Sequence, residues 1–309
     1  MLARVAWHRP LLWLAVAMAA LAITSLIGLV VDPREVTGAP LWAKPLKFAI
    51  SIALYALTLS WLIGLLHRWT RLAWWAGTVS AVFLAVEAVI IASVAAAGHT
   101  SHFTVDTPLA TALWAAMAVS ISIVWAAALP VAILLLRAPL GDPGRAIAIR
   151  AGFVIALVGM ALAFLMTSPT AAQVADYHGI VGAHTVGIAD GGPGLPVLGW
   201  STVAGDLRIP HFVGMHALQL LPLAAITLEA ASRRVARLRV PAVRARIVTV
   251  AVCLYAGILV VVTVQALSGQ SIVRPDVTVI AISTVLFAAA AAGVVWALAH
   301  PSRDTTTRS

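Results

Sequence analysis

Long apolar runs separated by short polar breaks make up most of this chain. A helix needs about 20 mostly apolar residues to cross the hydrocarbon of a bilayer. Eight runs reach that length: 10–31, 46–66, 72–97, 108–136, 146–167, 209–231, 247–267 and 277–298. The pattern predicts an all-α, polytopic membrane bundle of eight transmembrane helices, a single transmembrane domain over residues 1–309. Arg4 and Arg9 precede the first run as they would a signal peptide. Its apolar stretch is longer than a usual signal core and runs on into Asp32, which favours an uncleaved first span. The polar positions show no internal repeat. One break differs from the rest. From Ser168 to Arg208 the chain is rich in Gly, Pro, Asp and His, yet keeps Ile, Val, Leu and Trp among them. Loops of that length are functional or disordered, and the apolar content predicts a packed, structured fifth loop.

Composition sharpens the class. The chain is 62% hydrophobic and 10% charged, with a mean hydropathy of +1.02; a globular chain is roughly a quarter charged. A soluble protein is excluded. The excess of 20 Lys and Arg over 11 Asp and Glu does not point to nucleic acid, because Arg233, Arg234, Arg237, Arg239, Arg244 and Arg246 crowd one short break between apolar runs. Cytoplasmic loops concentrate charge in that way. The lipid bilayer is the implied partner. Cys253, the one cysteine, lies in an apolar run and reads as a small buried side chain.

Loop charge gives the orientation. Arg4 and Arg9, Arg68 and Arg71, Arg137 and Arg145, the six arginines at 233–246, and Arg303 and Arg308 all fall on one side. The alternate loops carry little net positive charge, with Asp106 in one and Asp176, Asp190 and Asp206 against Arg208 in another. Both termini are therefore expected in the cytoplasm and the fifth loop outside, in a bacterial cytoplasmic (inner) membrane. Trp69, Trp74 and Trp75 on one side, with Trp42 and Trp200 on the other, fit interfacial belts.

This topology gathers the chemistry on the outer side: His99, His102, His178, His184, His211 and His216, with Lys44, Lys47 and Arg208. In the sixth span His211 and His216 point about 140° apart with Gln219 between them, so they do not form a same-face metal pair. Interhelical hydrogen bonding would account for His216 and Gln219 equally well. If the third span runs on to residue 102, His99 and His102 stand one turn apart and Glu87 lies on nearly the same face, deep in the span. An intramembrane carboxylate is a functional candidate by default, and Glu87 is the candidate catalytic group. Lys44 and Lys47 open the second span, where the helix N-terminus already carries partial positive charge. Asp32, Glu35, a lipid phosphate or a bound anionic group could compensate them. The glycines of DGGPGLP neither follow a strand nor precede a Lys, so they are no phosphate-binding loop.

SHF at 101–103, WAKPLKFAIS at 42–51, HTVGIADGGPGLPVLGWST at 184–202 and GDLRIPHFVGMHALQ at 205–219 resemble a family of bacterial multi-pass integral-membrane proteins of no assigned activity. The resemblance implies the architecture and transfers no catalytic residues.

Three functions fit these residues. One is a redox protein holding haem b between histidines of two spans, His102 with His216 or His99 with His211, with Lys44, Lys47, Arg208 and Gln219 lining the cofactor. A second is a zinc-dependent hydrolase at the outer leaflet, its Zn2+ ligands drawn from His99, His102, His184, His211 and His216. The third is a proton-coupled transporter or receptor for a small or anionic ligand, with Glu87 as proton carrier.

Overall fold

The computed structural model describes residues 6–36 and 38–300. Nine α-helices carry the described chain: α1 (Arg9–Val31), α2 (Ala43–Ile63), α3 (Thr70–Ala96), α4 (Pro108–Arg137), α5 (Pro143–Ala161), a short α6 (Ala171–Ala175), α7 (Arg208–Ala231), α8 (Pro241–Leu267) and α9 (Val277–Ala299). Eight segments are long and apolar enough to span a membrane, as the sequence predicts, one of them running through α5 and on to the end of α6. Two-residue strands form small antiparallel pairs, β1 (Glu35–Val36) with β2 (Ala39–Pro40) and β3 (Thr185–Val186) with β4 (Gly205–Asp206). Arg4, Arg303 and Arg308 lie outside the described residues.

Sequence-adjacent helices from α1 to α4 pack on one another in turn, and α5, α7, α8 and α9 form a second group. The groups join along α4–α5 and α2–α7. The main core draws on α1–α5, with Phe153 of α5 and Leu218 of α7 fully buried in it. The tightest contact is between α5 and α7. A Cβ added to Gly159 would lie 2.3 Å from the Gly214 carbonyl carbon, so the two backbones touch there. Membrane helices have no hydrophobic drive toward each other and rely on such small-residue contacts. Interhelical hydrogen bonds add to it: Trp125 Nε1 donates to Leu157 O at 3.0 Å and Tyr255 Oη to Val213 O at 2.6 Å.

Loops fall at two ends. At one, Arg145 pairs with Glu229, Arg244 with Asp142 at 2.5 Å, and Arg150 donates to Ala138 O at 3.0 Å. This arginine end also holds His8, buried against Ser60 and Trp74. The loop end holds residues 97–107, 162–207 and 268–276, tied together by backbone bonds such as Val105 N to Gly179 O and by Ser271 Oγ to Ser201 O.

Several local expectations change. The third span does not reach residue 102. Gly98 at φ +80° ends α3: its N–H bonds Ala95 O at 2.8 Å, and the His99 N–H bonds Val94 O at 3.0 Å. That is a Schellman cap, which needs the left-handed glycine. His99 is left exposed, and His102 enters a loop. α8 starts at Pro241 rather than 247, because proline suits the first helical position. Cys253 is exposed on α8 rather than buried. Trp42 packs over Gly28, and its Nε1 donates to Asp32 Oδ2 at 2.9 Å.

Candidate functional site

The fifth loop folds over the loop end as a packed cap. Phe103, Met166, Leu207 and Ala266 form a small apolar core beneath it, with Trp114 and Val186 at its edge. Pairing of β3 with β4 sets Thr185 opposite Asp206. Each strand thereby presents a carboxylate-centred knot. Asp190 accepts from the His184 and Thr185 backbone N–H groups, from Thr185 Oγ1 at 2.7 Å, and from His184 Nδ1 at 2.7 Å. Burial would raise the Asp190 carboxyl, but these donors and the His184 ring outweigh it and hold Asp190 well below the usual carboxylate range.

Asp206, whose side chain is fully buried, is the second knot. It accepts from Ser201 N at 2.8 Å, Arg208 N at 3.0 Å, and Arg208 Nε and Nη2 at 2.9 and 2.6 Å. Arg208 Nη2 also donates to Gly199 O at 2.5 Å, and Lys47 Nζ to Leu198 O at 3.1 Å. Neighbouring carbonyls of one tight turn, closed by the Gly194–Ser201 bridge, thus hold two cations.

Lys44 completes the cluster from the first turn of α2. It lies within electrostatic reach of Lys47, Arg208 and Glu87, yet forms no hydrogen bond or ion pair with any described residue. Glu87 sits in α3 nine residues before Ala96, about 13 Å below the helix end. It is 5% exposed, and its Oε2 has no hydrogen-bond partner among the described residues.

The histidines do not assemble as expected from the sequence. His102 packs among Phe48, Phe103 and Trp114, its Nδ1 3.0 Å from Ser101 Oγ, and Phe103 also meets the His184 ring at 4.7 Å. Burial, then the nearby Lys44 and His184, holds His102 well below the usual histidine range. Burial, then the charges of Arg208 and Lys44, lowers His184 despite its bond to Asp190. His211 bonds Gly159 O through Nδ1 at 2.8 Å, a carbonyl left open where α5 tightens into the 3-10 turn Leu162–Met166. His216 meets the Phe212 ring edge to face, 4.3 Å between centroids, and its Nδ1 lies 3.3 Å from Gln219 Oε1 within its own helix. His178 is exposed and pairs with Asp176. The neighbours are therefore His102 with His184, and His211 with His216 along α7. Among the described residues no group of three or more His, Cys, Asp or Glu side chains is placed to hold a metal.

Two functional residues escaped the sequence reading: Asp190 as the anchor of His184, and Asp206 as the partner of Arg208. A signal for the second was present. Asp32-Pro33-Arg34 and Asp206-Leu207-Arg208 share one arrangement, the aspartate binding both the backbone N–H and the guanidinium of the arginine two residues on. It also takes Asp32 away from the lysines.

Eight apolar spans around a polar, basic end define a multi-pass membrane protein. No protein-family model, curated protein or solved structure matches the chain.

Proposed function

We propose that this membrane protein binds a small oxyanion at the loop end, between Lys44, Lys47 and Arg208, as a transporter or receptor for that anion. The carrying observation is the placement of Lys44 beside two further cations with no anionic group bonded to it. The fifth-loop carboxylates are spent elsewhere, Asp206 on Arg208 and Ser201, Asp190 on His184 and Thr185, and Asp176 on His178. Like charges gathered at a helix N-terminus repel one another and the helix dipole, and a bound oxyanion relieves both. The arginine-rich loops at the opposite end support a cytoplasmic location for that end and for the termini, in a bacterial inner membrane, with the anion reaching its site from outside.

The haem b and zinc readings have weaker support. Phe103 contacts both imidazoles of the His102–His184 pair, and His211 and His216 are engaged along α7. A Soret band or stoichiometric zinc in purified protein would restore them. The anion reading is tested by thermal unfolding in zwitterionic nanodiscs. A ligand at 100 times its Kd stabilises by about 2.7 kcal/mol. Acetate, lactate, benzoate or dimethyl phosphate is expected to raise the midpoint, and K44M/K47M to abolish the rise. A midpoint unmoved by all four refutes the reading.

A further inference from the structure

We propose that Glu87 takes up one proton each time the site binds its anion, so that a monoanionic oxyanion, a carboxylate or a phosphodiester, enters together with a proton. The inference rests on the anion reading above and deepens it.

Charge balance at the loop end carries the inference. The cations are Lys44, Lys47 and Arg208; the carboxylates are Asp190, Asp206 and Glu87. Asp190 and Asp206 are each fixed by several donors and have no cause to change state. Glu87 differs from both. It is 95% buried, Oε2 is without a hydrogen bond, and the charge that reaches it is Lys44, which is not in ion-pair contact with it. With Glu87 ionised the cluster is neutral and empty. With an anion seated beside Lys44, an ionised Glu87 would face a second negative charge in a low-dielectric setting, and protonation restores neutrality. One anion and one proton therefore arrive as a neutral pair. The proton comes from water, and no covalent bond in the ligand changes.

Few other ionisable groups are placed to take up that proton. Among helices packed on α3, α1 carries His8 and Arg9 at the far end, and Asp32 beyond its near end is bound to Arg34 and Trp42. α4 has no ionisable residue before Arg137 at its far end, and α3 itself has Arg71 at its start. α2 brings Lys44, Lys47 and Tyr55, the last fixed in the core. In the cap above, His102 and His184 lie within reach of Lys44; these rings and the buried Lys44 amine itself are the competitors, and uptake that persists in E87Q would assign the proton to one of them.

The test is titration calorimetry on the full chain in zwitterionic nanodiscs, with acetate, lactate, benzoate and dimethyl phosphate as probes. Running it in buffers of different ionisation enthalpy counts the protons taken up. The expected result is about one proton per anion, with affinity falling about tenfold per pH unit once Glu87 is ionised in the empty site. E87Q is expected to bind with an affinity that is flat between pH 6 and 8 and with no proton uptake. H102N and H184N should keep the uptake. Should the same titrations fail once phosphatidylglycerol is included in the nanodisc, the natural occupant is a lipid headgroup, and the proton count from the zwitterionic disc still applies to the soluble probe. Binding without proton uptake in the parent, or uptake that survives in E87Q, overturns the inference while the anion reading stands. Absence of any binding removes that reading first. If E87Q fails to fold, the proton count and pH slope of the parent, with the two histidine variants, decide the matter.

Discussion

Substituting Gly159 or Gly214 by alanine probes the contact on which the second helix group depends. The new Cβ of G159A would sit 2.3 Å from the Gly214 carbonyl carbon and 2.4 Å from its Cα, and G214A meets the Gly159 Cα at 2.4 Å. Ordinary contact begins at 3.4 Å, so the backbones must part by about 1.1 Å. Overpacking of this kind costs roughly 1–3 kcal/mol, and backbone atoms yield less readily than side chains, so the upper part of that range applies. Separation also stretches the His211–Gly159 hydrogen bond, adding about 1 kcal/mol. Each variant is therefore expected to lose about 3–4 kcal/mol. Reversible unfolding in mixed micelles, followed by circular dichroism, measures it. G192A is the control, because its Cβ would meet only Val203 Cγ2 at 3.9 Å. If G159A and G214A both fall within 0.5 kcal/mol of the parent, an order-of-magnitude bound set by the usual scatter of surface changes, the helices do not touch there.

Two further outcomes follow from the cap. D206N leaves Arg208 without its carboxylate; breaking a buried pair costs about 3–5 kcal/mol, here discounted to about 2–3 because the Arg208 side chain is 28% exposed. Thermal unfolding and faster proteolysis between 183 and 207 should register it, and an unchanged midpoint would refute the role given to Asp206. The second outcome concerns acid. A histidine held below its unfolded value, about 6.5, contributes stability that is complete above that pH and declines as pH falls through it toward the folded value. His102 and His184 should thus lower the unfolding midpoint between about pH 6.5 and 5, while the depressed Asp190 keeps its contribution until below about pH 4. H102N should flatten the first step, and a parent midpoint level across that range would contradict the burial assigned to these rings.

Span count was legible because it needs only run length and hydropathy, which the bilayer imposes on each helix separately. The gathering of Lys44, Lys47 and Arg208 was half legible: topology put them on one side, but only the fold brings the Leu198 and Gly199 carbonyls to Lys47 and Arg208. Histidine partners were not legible. His211 serves Gly159 because α5 and α7 are neighbours, and helix order in a bundle leaves no mark on one sequence. The end of α3 could have been found, since Gly98 three residues before Ser101 is a stop signal that outweighs the histidine spacing.

Where α5 and α7 meet glycine to glycine, the two cylinders share a seam with no side chains to reshuffle. A side chain added on either face would part that seam, and Arg208 opens the first turn of one of the two helices. Lys44 and Glu87 stand on two other helices, α2 and α3. An anion held between Arg208 and the two lysines would therefore lie across the α2–α7 contact, tying the two helix groups together at the loop end.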